Sequence, residues 1–426
     1  MLLKEEGHHA SIHPDPLRRR LLAGLGAGAL GLSSSRLWAA PEGEAAGQAS
    51  PRFLLVFLRG AYDAANLLVP YASPFYYEAR PNIGIAAPGK ATAKQPAALM
   101  LDGQWGLAPS AAELLMPMYE RGELAFVPFA GTADTSRSHF ETQDTIELGQ
   151  ADSSQMARDF NSGFLNRLAG VIGARSGGSM QAMAFTDQLP LVMRGQMALA
   201  NQSLRDVGKS GVTPRQAQLI SGMYAGTPMS TAVSEGFEVR GEVSSAMADE
   251  MQAASRNAVS PKGFALEARR MGRLMRERVT LGFIDVGGWD THVGQGGATG
   301  ALAGKLGELS QGLTAFADEL GPQAWSRTVV VVLSEFGRTF RENGNRGTDH
   351  GHGSAYWVMG GAVKGGRIAG EQVELTRNTL FQGRDWPVLN DYREVLGGVL
   401  GRMYGLNEAQ LGQVFPGAKG REMGLV

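Results

Sequence analysis

Seven histidines occur in the chain. Three fall near its start, and four, His139, His292, His350 and His352, lie further on, each inside a polar cluster. Imidazole grouped with carboxylate is ligand chemistry for Zn, Mn or Fe, and carboxylate or amide oxygen alone suits a hard ion such as Ca. In Asp285-Val286-Gly287-Gly288-Trp289-Asp290-Thr291-His292, Asp290 and His292 flank one residue and can face the same ion, with Asp285 behind them. Ser334-Glu335-Phe336-Gly337-Arg338 leads to Gly347-Thr348-Asp349-His350-Gly351-His352-Gly353. Unpaired buried acids and imidazoles are costly, and a metal is the usual compensation. Arg59-Gly60-Ala61-Tyr62-Asp63-Ala64-Ala65-Asn66 offers Asp63 to a cation and Asn66 to a cation or a substrate, although Asp63 also reads as a turn or cap. Asp63, Asp290, His292, Glu335, Asp349, His350 and His352 are enough ligands for one or two divalent ions.

Ser136-Arg137-Ser138-His139-Phe140-Glu141 carries a different chemistry. Ser138 with Glu141 three residues later is a capping box, so a helix is expected to start here. A helix start is also an anion site, because its free N–H groups and dipole favour negative charge. Ser138 is the candidate nucleophile, His139 the neighbouring base, and Arg137 the clamp for an anionic group, with Arg338 a second cation for it.

These clusters need a scaffold that gathers them. Phe53–Leu58, Leu124–Phe129, Gln181–Phe185, Leu281–Val286, Thr328–Leu333 and Tyr356–Met359 are apolar runs of the kind that form strands buried on both faces. Leu302, Leu306, Leu309, Leu313, Phe316 and Leu320 recur at helical spacing, which predicts a crossover helix between the fourth and fifth strands. Pro261–Arg278 predicts another helix. The expected fold is therefore α/β, with a mainly parallel sheet covered on both faces. Sites in such sheets form beyond the carboxyl ends of strands, where most of the clusters fall. Residues 187–260, rich in Met, Ser, Gly and Gln, read as a helical insertion.

Residues 1–40 read as an export signal. Arg18-Arg19-Arg20 precedes Leu21–Leu32, an uncharged run of mainly Leu, Ala and Gly, and Ala39-Ala40 supplies small residues. The run is too short to span a bilayer, and the arginine pair points to the twin-arginine route. The expected localisation is periplasmic or extracellular, with the twin-arginine translocase as a partner during export and no integral membrane segment in the mature protein. Residues 41–51 read as a linker, and 52–426 as one domain. The 40 Lys and Arg nearly balance the 41 Asp and Glu, which gives no electrostatic reason to expect nucleic acid. There is no cysteine, which excludes thiolate ligands, disulfides and a Cys nucleophile.

Leu54 to Pro70, Ser136–Glu141, Gly287–His292 and Ser334–Gly353 together resemble the bacterial family catalogued as domain of unknown function 1501, over about residues 52 to 415. The resemblance implies an alkaline-phosphatase-like (sulfatase-like) fold, a metal site and a twin-arginine leader. By position it makes Asp63 the metal Asp of the first strand, places the nucleophile within Ser136–His139, and makes Asp290 and His292 the Asp and His metal pair. Glu335 stands where an Asp-His pair follows the central strand in the superfamily, with Phe336 in the His place, and the formylglycine sulfatase signature is absent. The expected function is an exported metal-dependent hydrolase of phosphate or sulfate esters, small or polymer-borne, with Ser138 or a metal-bound water as nucleophile. The alternative is a non-catalytic, metal-stabilised binding or assembly protein of the envelope.

Overall fold

A computed structural model describes residues 50–93, 95–150, 158–176, 181–204, 214–230, 233 and 263–426. The expected signal of residues 1–40 and most of the linker lie outside these residues. All six expected strands form: β1 (Arg52–Leu58), β2 (Leu124–Gly131), β3 (Ala182–Ala184), β4 (Leu281–Val286), β5 (Thr328–Ser334) and β6 (Ser354–Met359). They stand in the order β2-β6-β5-β1-β4-β3 within a nine-stranded sheet. Arg367–Ile368 and Asn390–Asp391 pair with β2, and Ala200–Asn201 pairs with β3.

The sheet is mainly parallel. β1 runs parallel to both β4 and β5, and β3 continues parallel beside β4. β6 is antiparallel to both of its neighbours, β5 and β2. Its start therefore lies at the edge where the parallel strands end. That reversal keeps the whole β5–β6 connection, including Asp349–His352, at the same edge as the loops that follow β1, β2 and β4.

The apolar runs are continuous because both faces of the sheet are covered. In β1, Leu54, Val56 and Leu58 join one core with α2 (Phe264–Glu277) and α3 (Ala301–Trp325). Phe53, Leu55 and Phe57 join the other, with the helices Phe164–Ser176 and Tyr392–Tyr404. All six periodic residues of α3 are buried, each contributing about 1.5–3 kcal/mol of apolar burial. The helix kinks at Gly321, where φ is 71° just before Pro322. Within the expected insertion, helix Pro214–Tyr224 is present and Ala200–Asn201 belongs to the sheet; residues 205–213, 231–232 and 234–262 lie outside the described residues. Among the described residues no helix is long and apolar enough to cross a membrane.

Candidate metal centre

Four loops meet at the carboxyl edge of the sheet, those after β1, β2 and β4 and the β5–β6 connection. The β1 loop closes on the β4 loop at Gly60, whose φ is 115° and whose absent Cβ would lie 2.8 Å from the Asp290 amide nitrogen, an approach open only to glycine. The Gly60 N–H donates to Glu335 Oε1 at 2.8 Å, which ties the β5 loop to the same point. After β2 the chain turns through Arg137 in the left-handed region, φ 53°, and enters α1 (His139–Leu148), with Ser138 as its N-cap. The Ser138 hydroxyl accepts the Glu141 N–H at 3.5 Å. His139 is thereby the first residue of a helix aimed at the edge. The two ends of the β5–β6 loop are laced by Gly337 N–H to His352 O and Gly351 N–H to Gly337 O, each 2.8 Å.

Three imidazoles converge there. His139 Nε2 lies 3.0 Å from His350 Nε2, and His292 Nε2 lies 3.1 Å from the same atom. Asp290 closes the group, with Oδ1 2.9 Å from His292 Nε2 and 3.5 Å from His350 Nε2, and Oδ2 3.7 Å from His139 Nε2. His139, Asp290 and His350 each offer a donor atom within 4.8 Å of the others, and among the described residues this is the group able to hold a metal ion. His292 joins it from the Asp290 side.

The opposite ring nitrogens decide the chemistry. His139 Nδ1 faces Glu335 Oε1 at 2.7 Å, His292 Nδ1 faces Asp349 Oδ1 at 3.1 Å, and His350 Nδ1 faces the Arg137 carbonyl at 3.0 Å. Carboxylate and carbonyl oxygens only accept, so each Nδ1 is the donor in these contacts, and a ring with no second hydrogen turns its Nε2 lone pair inward. In that form the lone pairs crowd the Asp290 carboxylate, which Arg338 offsets on one side, and a cation between them would remove the remaining cost. A four-coordinate ion bound at 2.0–2.1 Å sets its donors about 3.3 Å apart; the donors of His139, Asp290 and His350 stand 3.0 to 3.7 Å apart, and His292 lies 2.9 Å from Asp290 and 3.1 Å from His350. The donor set fits a borderline divalent ion, and the carboxylate or carbonyl behind each imidazole is the support that metal-bound histidines use.

Charge follows the same plan. Burial pushes the Glu335 carboxyl up, but hydrogen bonds from His139, Gln143 and Ser334 outweigh it and hold the group below the ordinary carboxylate range. Burial also raises Asp290, and Arg338, His292 and His139 bring it below its ordinary value. The Asn343 hydrogen bond leads in holding Asp349 low, against its partial burial. Burial and the nearby His139 keep His350 below its usual value, which favours the neutral ligand form. Glu335 has no exposed side-chain surface, whereas Asp290 and His292 are 45% and 41% exposed, so the centre opens outward from a buried support. Phe336 stacks on His139 with centroids 5.0 Å apart. Surface cavities of ≈ 480 and ≈ 510 Å³ are lined by other residues.

Of the expected site residues, Asp290, His292 and His350 meet with their ligand atoms inward, and His139, expected as a base, meets them as a fourth member. Glu335 and Asp349, expected as ligands, stand behind His139 and His292 and accept their N–H groups. Asp63, expected as a ligand, is spent elsewhere: it is buried, and its oxygens accept Arg80 and Gln295. Asn66 is buried beside it, hydrogen-bonded to Arg80, Tyr76 and the Ile83 carbonyl. His352 packs on Phe381, 4.6 Å between centroids, and burial, then Arg137, depress its pKa to about 4. Arg338, expected to meet an anion, is buried; it donates to Asp290 and to the carbonyls of Gly60, Ala61, Trp289 and Thr348. Arg137 is paired with Asp385 and Gln382.

Some supporting residues were missed. Gln143 donates to Glu335 at 2.9 Å. Arg59 links Gln143, Glu147 and Asp285. The signal for two of them was present, since His139, Gln143 and Glu147 stand four apart and share one face of α1. Nothing near Asn343 or Asp385 in sequence marks them as neighbours of the site.

Fold and centre define an α/β protein with an imidazole–carboxylate cluster at the carboxyl edge of its sheet. Residues 50–415 match the family described as protein of unknown function DUF1501, and the chain belongs to that family. No curated protein matches the chain. Similar solved structures include Ps i-CgsB in complex with k-i-k-neocarrahexaose, at 9% identity and TM-score 0.34, covering 88% of this chain and 76% of that one. Another is the soluble domain of lipooligosaccharide phosphoethanolamine transferase A from Neisseria meningitidis, at 10% identity and TM-score 0.33, covering 74% and 78%. A third is a protein in the alkaline phosphatase superfamily from Vibrio parahaemolyticus, at 11% identity and TM-score 0.31, covering 74% and 61%.

Proposed function

We propose that the chain is an exported hydrolase of phosphate or sulfate esters that works with one bound divalent ion. The observation that carries this reading is the convergence of three Nε2 atoms and Asp290, each imidazole backed by an oxygen acceptor. His139, His292, His350 and Asp290 would hold the ion, which when bound polarises an ester oxygen and offsets charge developing on it. Glu335, Asp349 and the Arg137 carbonyl keep the three rings in the ligating tautomer. Ser138, one residue from His139 at the start of α1, is the nucleophile in this reading, its long cap contact leaving the hydroxyl proton free. The free N–H groups of the helix start and the quarter-exposed Arg137 guanidinium would balance an anionic group beside it. One ion is preferred to two because Asp63 and His352, which a second ion would need, are engaged elsewhere. The twin-arginine signal expected at residues 1–40 suits a protein that takes up its metal before export.

Metal content by mass spectrometry tests this on untagged, chelator-free protein, wild type beside His292→Ala and His350→Ala. About one equivalent of ion in the wild type, lost in both variants together with turnover of aryl phosphate or sulfate esters, is expected. An ion bound without turnover of any ester would favour the binding or assembly role. A folded wild type that neither contains nor takes up an ion would end both readings.

A further inference from the structure

Of the three imidazoles, His350 alone leans on a main-chain oxygen rather than a carboxylate. A carbonyl holds a ring only as firmly as its own peptide is held, and the peptide in question belongs to Arg137, a non-glycine residue at φ 53°. Such a conformation costs about 1–3 kcal/mol and persists only where its surroundings enforce it. Asp385 does the enforcing. Its carboxylate is fully buried, and Oδ2 accepts Arg137 Nη2 at 2.8 Å and Arg137 Nε at 3.2 Å. The same oxygen accepts Arg384 Nη1 at 3.2 Å. Arg384 in turn donates from Nη2 to the His350 carbonyl at 2.9 Å. One carboxylate thus gathers two arginines that grip His350 from both ends, one through the ring Nδ1–H and one through the main chain.

We infer that Asp385 is a positioning residue for the metal centre: through Arg137 and Arg384 it fixes the tautomer and direction of His350. It does for His350 what Glu335 does directly for His139 and Asp349 for His292, but through an intermediary. The inference rests on His350 being a metal ligand for its affinity arm only; the tautomer arm stands without it.

The test uses the full chain carrying Asp385→Asn, which keeps shape but removes the charge that aligns both guanidinium groups. Chelator competition with Zn is expected to show affinity about 10–100-fold below wild type, the range for residues that orient a ligand. Long-range nitrogen–proton spectra of the ¹⁵N-labelled histidines in the metal-free protein are expected to show the His350 Nδ1–H form in the wild type and a tautomer mixture in the variant. A merely structural role would leave both the ring tautomer and the affinity of the folded fraction unchanged, and that result overturns the inference. If the wild type takes up no metal, the proposed function falls while the tautomer comparison still decides this one. Should Asp385→Asn fail to fold, Arg137→Gly reads the same quantities, since it keeps the carbonyl, relaxes the φ constraint and deletes the guanidinium grip. Wild-type affinity and tautomer in that folded variant would likewise overturn the inference.

Discussion

Two polar clusters sit close together beneath and upon the carboxyl edge of the sheet, and they are built on opposite logic. In the lower one, Arg80 donates Nε to Phe340 O, Nη1 to Asp63 and Asn66, and Nη2 to Asp63 and Thr339 O. All five N–H groups of the guanidinium are used, and neither charged side chain exceeds 1% exposure. In the upper one, the outward nitrogens of three imidazoles are satisfied and the inward ones face each other. A buried charge pair that is complete by itself is architecture, and a ligand atom would have to break it to enter. A set of ring nitrogens and a carboxylate held together, with Arg338 as the donor at its Asp290 edge, is a candidate place for a cation. Residue type does not separate the two, since each offers a carboxylate beside polar partners at the same edge. What separates them is whether the donor and acceptor count closes.

The sharpest way to break this comparison is to remove one member of each cluster. His350→Ala should abolish stoichiometric metal binding, an effect beyond the about 10–100-fold typical of supporting residues. It should leave the metal-free fold nearly as stable as wild type, because the ring is partly exposed and its lone pair is repelled there. Arg80→Ala should do the reverse: about 3–5 kcal/mol of destabilisation from stranding the Asp63 charge, with wild-type metal content in the molecules that remain folded. Denaturant melts and metal analysis on both variants check the pair. If Arg80→Ala lost metal at full stability, the division between architecture and site would fail.

Glu335→Gln sharpens the boundary between a ligand and its support. The amide can still accept from His139, but it no longer offers the charge that strengthens the ring as a donor. Affinity for Zn should fall about 10–100-fold with the ion still bound at one equivalent. Loss of binding altogether would make Glu335 a ligand, as its sequence position first suggested.

How far sequence carried the argument depended on whether a signal was local. The six apolar runs became strands because burial on both faces leaves no polar alternation to blur them, and the α3 periodicity became one face against the sheet. The reversed direction of β6 was readable too, since Glu335–Gly353 holds no helix to carry a parallel crossover, but the apolar run itself has no direction. At the site, the residue types were legible and their ranks were not. Asp290, His292 and His350 stand out by chemistry, yet whether Glu335 or His139 turns its ligand atom into the cluster is set by a register between loops that no spacing encodes. Asp63 misled because its partner Arg80 lies 17 residues away and marks no motif. Asp385, 248 residues from Arg137, left no trace in either stretch.

His352 gives a smaller effect that separates it from its neighbour His350. Its folded pKa is about 4, below the ordinary histidine value of about 6.5. In that window the unfolded chain binds a proton that the folded chain refuses, so stability should fall as pH drops from about 6.5 towards 4, by up to about 1.4 kcal/mol per pH unit. Below 4 this contribution stops growing. His352→Phe, which keeps a ring against Phe381, should flatten that slope in urea melts taken across the window without changing metal content at neutral pH. A variant that also released metal would return His352 to the site.

The smallest effect on the fold belongs to Ser138→Ala, and it probes the seam between the two kinds of polar group. As an N-cap, Ser138 satisfies one helix N–H, and caps of this kind contribute about 0.5–2 kcal/mol. Its acceptor distance of 3.5 Å sits at the long end, so the loss should fall near the lower bound. Metal affinity should not change, because no ring nitrogen leans on its side chain. Those two results together make turnover of an ester substrate a clean readout of the hydroxyl. Turnover lost with only that small loss of stability and unchanged metal content assigns the attacking oxygen to Ser138. Turnover retained returns Ser138 to the helix as a cap and leaves water as the attacking group.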